Sequence, residues 1–212
     1  MRNKIFGIIG MSTIILFLIG FGMIFDIFNP STVEKFDGFS LTALNIQNLD
    51  SLNLMIYFNY IFLGLLVVVF SLNLRLLIKS SKTNRIAVDL LLLSGAIWVS
   101  CGFFTLDEIP NGLLLFWVFI RPTLILVLAS TGFILFGNEF DKIIHLNLNK
   151  WIIVSVGILI VIVGITQVFT NGIIQAYLSY TSWLLYFIGY SILGLGMLIK
   201  PKDKTVHNNV YN

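Results

Sequence analysis

The chain has 212 residues, 58% hydrophobic and only 11% charged, against roughly 25% charged in a soluble globular domain. So few charges could not cover a water-facing surface, which excludes an ordinary soluble domain. The net charge of +3 comes from Lys and Arg that flank apolar blocks, so no nucleic acid partner is expected and membrane lipids are.

Six apolar blocks follow in chain order: 5–28, 52–78, 86–104, 113–136, 151–169 and 173–199. A hydrocarbon core about 30 Å thick needs about 20 helical residues. Backbone groups in lipid must be satisfied within their own segment, so each block reads as a helix. The fold class is therefore all-α, a polytopic membrane bundle of six transmembrane helices. It forms one domain, 1–200, followed by a short cytoplasmic tail, 201–212.

The first block follows Arg2 and Lys4, as a signal peptide would. It is longer than a signal core of about 7–15 residues, and it runs into Phe25-Asp26-Ile27-Phe28-Asn29-Pro30 without a small-residue cleavage site. An uncleaved first helix is expected. With the N-terminus inside, eleven of the 13 Lys and Arg fall on inner segments; only Lys35 and Arg121 do not. This bias predicts both termini in the cytoplasm and a multi-pass protein of the cell membrane. Asp26, Glu34, Asp37, Asp50, Asp107 and Glu108 fall outside. The first outer loop, 29–51, is the longest connection and is partly apolar. The short connections make sequential helices antiparallel neighbours, and no internal repeat supports an inverted-repeat transporter.

Arg121 is the costly residue of the pattern. Counted from Gly112 it lies roughly 13 Å into its helix, where insertion of Arg costs about 2.5–3.5 kcal/mol. Pro122 follows it. The expected ligand site joins Arg121 to Asp107 and Glu108 of the preceding outer turn, with Asn59 and Tyr190 as further polar contacts. Its ligand would be an anionic group such as a lipid phosphate. The competing reading is a structural ion pair, or an Arg snorkelling to the headgroups. Asn59, Asn73 and Gln167 also fit interhelical hydrogen bonds. Asp89, four residues after Arg85, reads as one half of an interfacial ion pair.

The last block carries Ser182, Gly189 and Gly196 at intervals of seven. This smooth stripe offers close approach and a face for another membrane protein. Tyr177, Tyr180, Trp183, Tyr186 and Tyr190 form an aromatic band, and the deep Tyr190 hydroxyl needs a partner. His145 and His207 lie outside the spans. No H-E-x-x-H, G-x-S-x-G or phosphate-binding glycine loop occurs. The lone Cys101 makes no intrachain disulfide and no multi-cysteine metal centre. No catalytic residue, metal or cofactor is therefore assigned.

Three stretches carry a family likeness. They are Tyr57-Phe58-Asn59 with Gly64, Gly102-Phe103-Phe104-Thr105-Leu106-Asp107-Glu108, and Trp183-Leu184. With these the chain resembles the domain of unknown function 998 family of bacterial and archaeal membrane proteins, broadly similar to the DRAM-like and Frag-like six-helix proteins. The resemblance implies a first helix, an outer loop of this length and five closely spaced helices, with no activity to carry over. Thr105 stands where the family favours proline, and Asn111 where a histidine often falls. The Ser-x-Leu-Gly element before the second helix is not clear at 45–50.

The leading expectation is a non-enzymatic membrane protein that binds a lipid or small amphiphile in an outward-facing pocket near Arg121. The alternatives are a small transporter or channel, a lipid-modifying enzyme, and an accessory subunit of a membrane complex.

Overall fold

The structure is a computed structural model that describes residues 2–24, 57–77, 82–103, 120–138, 150–170 and 172–198. These form six α-helices: α1 (Arg2–Ile24), α2 (Leu63–Leu77), α3 (Lys82–Ser100), α4 (Arg121–Asn138), α5 (Lys150–Val168) and α6 (Gly172–Leu198). A π-helical turn, Tyr57–Phe62, leads into α2. The outer loop 29–51, the turn with Asp107 and Glu108, and the tail 201–212 lie outside the described residues.

Each described helix overlaps one of the six apolar blocks. Helix α3 starts at Lys82, four residues ahead of its block, because the long stems of Lys82 and Arg85 keep their charges at the membrane edge. Tyr60–Leu77, Lys150–Val168 and Tyr177–Leu198 are long and apolar enough to cross a membrane, with 18, 19 and 22 residues. At 1.5 Å per residue they reach about 27–33 Å. Lys4–Gly20 and Arg121–Gly137 are shorter apolar helices.

The outer surface is as apolar as the blocks imply. Ile8 and Ile15 of α1, Leu76 of α2, and Ile158, Ile162 and Ile165 of α5 are exposed. Soluble proteins rarely present such continuous apolar surface. Two hydroxyls on this surface are satisfied by their own helix. Thr166 donates to the Ile162 carbonyl and Thr181 to the Tyr177 carbonyl, each at 2.8 Å. That is what a hydroxyl facing hydrocarbon requires.

Each helix packs on its neighbour in sequence, and α6 closes the ring by packing along α1. The closing pair is antiparallel: Gly7 meets Leu198, Thr13 meets Ser191, and Phe17 stacks on Phe187. Gly194 permits the contact, since a Cβ there would lie 2.6 Å from both the Gly7 carbonyl oxygen and the Met11 backbone nitrogen. Across the same seam the Ser191 hydroxyl lies 3.2 Å from the Gly10 carbonyl oxygen and 3.3 Å from that of Met11.

Helix α6 also fills the centre of the ring. Tyr186, Phe187 and Tyr190 are fully buried and meet Phe70 of α2, Trp98 of α3 and Phe133 of α4 through stacked and edge contacts. Two expectations change here. Tyr190 is not poised for a ligand: it is 0% exposed, and its hydroxyl donates to the Leu91 carbonyl at 2.9 Å beside Ser94 at 3.1 Å. The partner that a buried tyrosine needs comes from α3. The stripe of Ser182, Gly189 and Gly196 is no docking face either, because all three are buried. Gly189 sits against the Phe133 ring, whose nearest carbon would be 2.3 Å from an added Cβ. Asp89 does form an ion pair, but with Arg75 of α2 at 3.0 Å, because the α2–α3 crossing brings a side chain closer than its own helix does.

Backbone-to-backbone contact at Gly194 cannot relax by moving one side chain. Gly194→Val is expected to destabilise the protein by about 1–3 kcal/mol through overpacking. A thermal melt in mild detergent reads this as a lower midpoint, and an unchanged midpoint would contradict the seam.

Candidate functional site

Helices α4 and α5 touch tightly at one end and part at the other. Near the start of α5, a Cβ on Gly137 would lie 2.3 Å from Val154 Cγ2, and one on Gly157 would lie 2.8 Å from the Ser130 carbonyl oxygen. Two turns further along α5, nothing lies within 4 Å of the Cβ position of Gly164. The helices therefore diverge from Gly157 towards Val168 and leave a groove of about 270 Å³.

Helix α4 lines this groove with Pro122, Thr123, Leu126, Val127 and Ser130. Helix α5 lines it with Ile160, Val161, Gly164, Ile165, Gln167 and Val168, and α6 lines it with Ser179 and Trp183. The wall is mostly apolar. Three of its four polar side chains, Thr123, Gln167 and Ser179, gather at the wide end. Trp183 is braced by Trp98 at 4.6 Å between ring centroids, so this lining side chain is held by the aromatic core.

From Pro122 to Ser130 the groove runs about 12 Å along α4 at 1.5 Å per residue. That approaches one leaflet of a hydrocarbon core about 30 Å thick. It stops where the Gly157 contact closes the helices together. The volume falls just under the range of about 300–1,000 Å³ usual for small-molecule pockets. One slender chain suits it better than a bulky ring system.

Arg121 stands apart from this groove. It is 7% exposed and opens the core-facing stripe of α4 that continues through Ile125, Ala129 and Phe133. Its electrostatic neighbours are Cys101, just past the end of α3, and Tyr60, in the turn before α2. Pro122 and Thr123, the next residues, face the groove instead. The stretch from Gly112 on which the depth count rests lies outside the described residues; within them Arg121 is buried near Cys101 and Tyr60. Asp107 and Glu108 lie outside the described residues, and so does the side chain of Asn59.

Sequence reasoning missed most of the groove. Gln167 read as an interhelical contact, yet it lines the wide end. Ser130, Gly164 and Ser179 carried no signal, since a glycine in open space and a glycine in a tight crossing look alike in a sequence. Asn73 read as hydrogen-bonding glue, but among the described residues neither end of its buried amide has a partner. A second buried amide is more telling. Gln175 is 2% exposed and lies one helical turn before Ser179 on the same face of α6, and among the described residues its amide nitrogen has no hydrogen-bond partner. Leaving such a donor unsatisfied costs about 1–3 kcal/mol.

Asp89 and Arg121 lie at opposite ends of the bundle. Leu91, Trp98, Tyr186 and Tyr190 pack the interior between them. Compared with known proteins, the chain matches no family model, no curated protein and no solved structure.

Proposed function

We propose that this chain is a six-span protein of the cell membrane, with both termini cytoplasmic, whose α4–α5 groove holds a lipid or small amphiphile without chemical conversion. The observation that carries this reading is the open space at Gly164 inside an otherwise close-packed bundle. A groove that opens sideways between two apolar helices, about one leaflet deep, with polar side chains at its wide end, suits an amphiphile entering from the bilayer.

The orientation rests on charge. Lys4, Arg75, Lys82, Arg85 and Lys150 gather at one end of the antiparallel bundle, the end retained in the cytoplasm by the usual bias of basic residues. The groove's wide end lies at the other, outer end. Membership of the domain of unknown function 998 family remains part of this proposal and rests on the three short stretches alone.

Conduction is disfavoured by the aromatic interior that separates Asp89 from Arg121. A lipid-modifying enzyme would need Asp107 and Glu108 beside Arg121, and Arg121 faces the core rather than the groove. An accessory role would need a face other than the Ser182 stripe.

Gly164→Phe is expected to fill the groove while leaving the fold intact. Native mass spectrometry of gently extracted protein is expected to show lipid occupancy lowered about tenfold, a change of about 1.4 kcal/mol. A folded Gly164→Phe protein with undiminished lipid would overturn the groove reading. For the topology, Asn3→Cys and Thr205→Cys, each in a Cys101→Ser background, are expected to react with a membrane-impermeant maleimide only after the cells are opened. Labelling of either in intact cells would reverse the orientation.

A further inference from the structure

An acyl chain gains no hydrophobic free energy by leaving lipid tails for an apolar groove, because the tails are as apolar as leucine. The closed end adds nothing polar, since the Ser130 hydroxyl donates to the Val127 carbonyl of its own helix at 3.0 Å. Discrimination between one amphiphile and another therefore falls to the wide end, where Thr123, Gln167 and Ser179 lie on the groove wall. Ser179 lies about 28 Å along α6 from Leu198, and Gln167 about 26 Å along α5 from Lys150, at 1.5 Å per residue. Both stand near the edge of a hydrocarbon core about 30 Å thick, the level at which the head of an amphiphile meets its chain. All 13 lining residues are uncharged. Arg121, the cation nearest in sequence, is buried near Cys101 and Tyr60 on the other side of α4. In sequence, the connections at this end of the bundle hold six carboxylates against one base, Lys35.

We propose that the groove selects an uncharged single-chain amphiphile whose head carries hydroxyl groups, the monoacylglycerol class, over anionic lipids of the same chain. This rests on the groove reading above. Phosphate is held by Arg and Lys through charge-assisted hydrogen bonds, and anionic lipids gather at clusters of those residues. The groove wall supplies no such residue, and a charge drawn between its helices would lose water without gaining a counter-charge. A hydroxyl head meets the opposite situation. The Thr123 and Ser179 hydroxyls and the Gln167 amide each both donate and accept hydrogen bonds. A glycerol hydroxyl can answer both roles, accepting from one of these groups and donating to another. A phosphate oxygen only accepts, so it leaves the Gln167 carbonyl unanswered. The volume of about 270 Å³ sets the number of chains at one.

The test compares two probes that differ only by a phosphate: monopalmitoylglycerol and palmitoyl lysophosphatidic acid. Each is titrated against the full chain in mild detergent and read by native mass spectrometry. The wild-type protein is expected to prefer monopalmitoylglycerol by about tenfold, the scale of one or two net hydrogen bonds. In Gln167→Leu, binding of monopalmitoylglycerol is expected to fall about fivefold while lysophosphatidic acid is unchanged. Gln167→Lys places a cation at the wide end and is expected to reverse the preference. Gln167 is only half-buried near the end of α5, so both variants are expected to fold. Equal or stronger binding of lysophosphatidic acid by wild type would overturn the proposal while leaving the groove standing. So would a preference that stays the same in both Gln167 variants. If neither probe binds wild type, or both still bind Gly164→Phe, the groove reading itself falls and takes the head selection with it.

Discussion

Contact between the backbones of α1 and α6 at Gly7, Gly10 and Gly194 is the constraint on which the remaining architecture depends. In lipid, helices are not driven together by the hydrophobic effect, so association relies on close packing and interhelical hydrogen bonds. Glycine allows the closest packing, and the Thr13 and Ser191 hydroxyls add polar contacts across the same seam. Once the first and last helices are joined, the four between them are confined to a ring. Helix α6 then presents its Tyr186–Tyr190 face to the ring's centre.

The same principle recurs around the ring. Gly64 and Gly95 set the α2–α3 crossing, Gly132 the α3–α4 crossing, and Gly137 and Gly157 the α4–α5 crossing. Close packing at each interface leaves little room inside. The centre is filled by rings from α2, α3, α4 and α6, and their buried hydroxyls are satisfied within it. The Tyr186 hydroxyl lies 3.3 Å from Ser94, whose own hydroxyl donates to the Leu91 carbonyl at 2.8 Å. A bundle packed in this way leaves its open space at the edge, where two helices part.

The groove is the place where the pattern lapses. Gly164 lies seven residues after Gly157 on α5, so the two fall on nearly the same face, yet only Gly157 has α4 against it. The difference lies in the direction of α4 and α5, which are pinned together near Gly137 and splay beyond Gly157. Arg121, at the start of α4, is buried near Cys101 and Tyr60, on the side of α4 away from the groove.

The helical character and apolarity of the blocks were legible in the sequence, because unsatisfied backbone in hydrocarbon admits only a helix. The gathering of Lys and Arg at one end was legible for the same reason, since charge placement follows from alternating short connections. The need of Tyr190 for a hydroxyl partner was legible too, but not the identity of that partner. What each small or polar residue faces was not written in the local pattern. The Ser182–Gly189–Gly196 stripe read as a close-approach face open to another protein and packs within its own bundle, Arg121 read as a pocket residue and faces the core, and Gly164 read as nothing and opens the groove. Periodicity places a residue on a face of its helix. Only the crossing angles and the closure of α6 on α1, which depend on every helix at once, decide whether that face meets lipid, a neighbour or empty space.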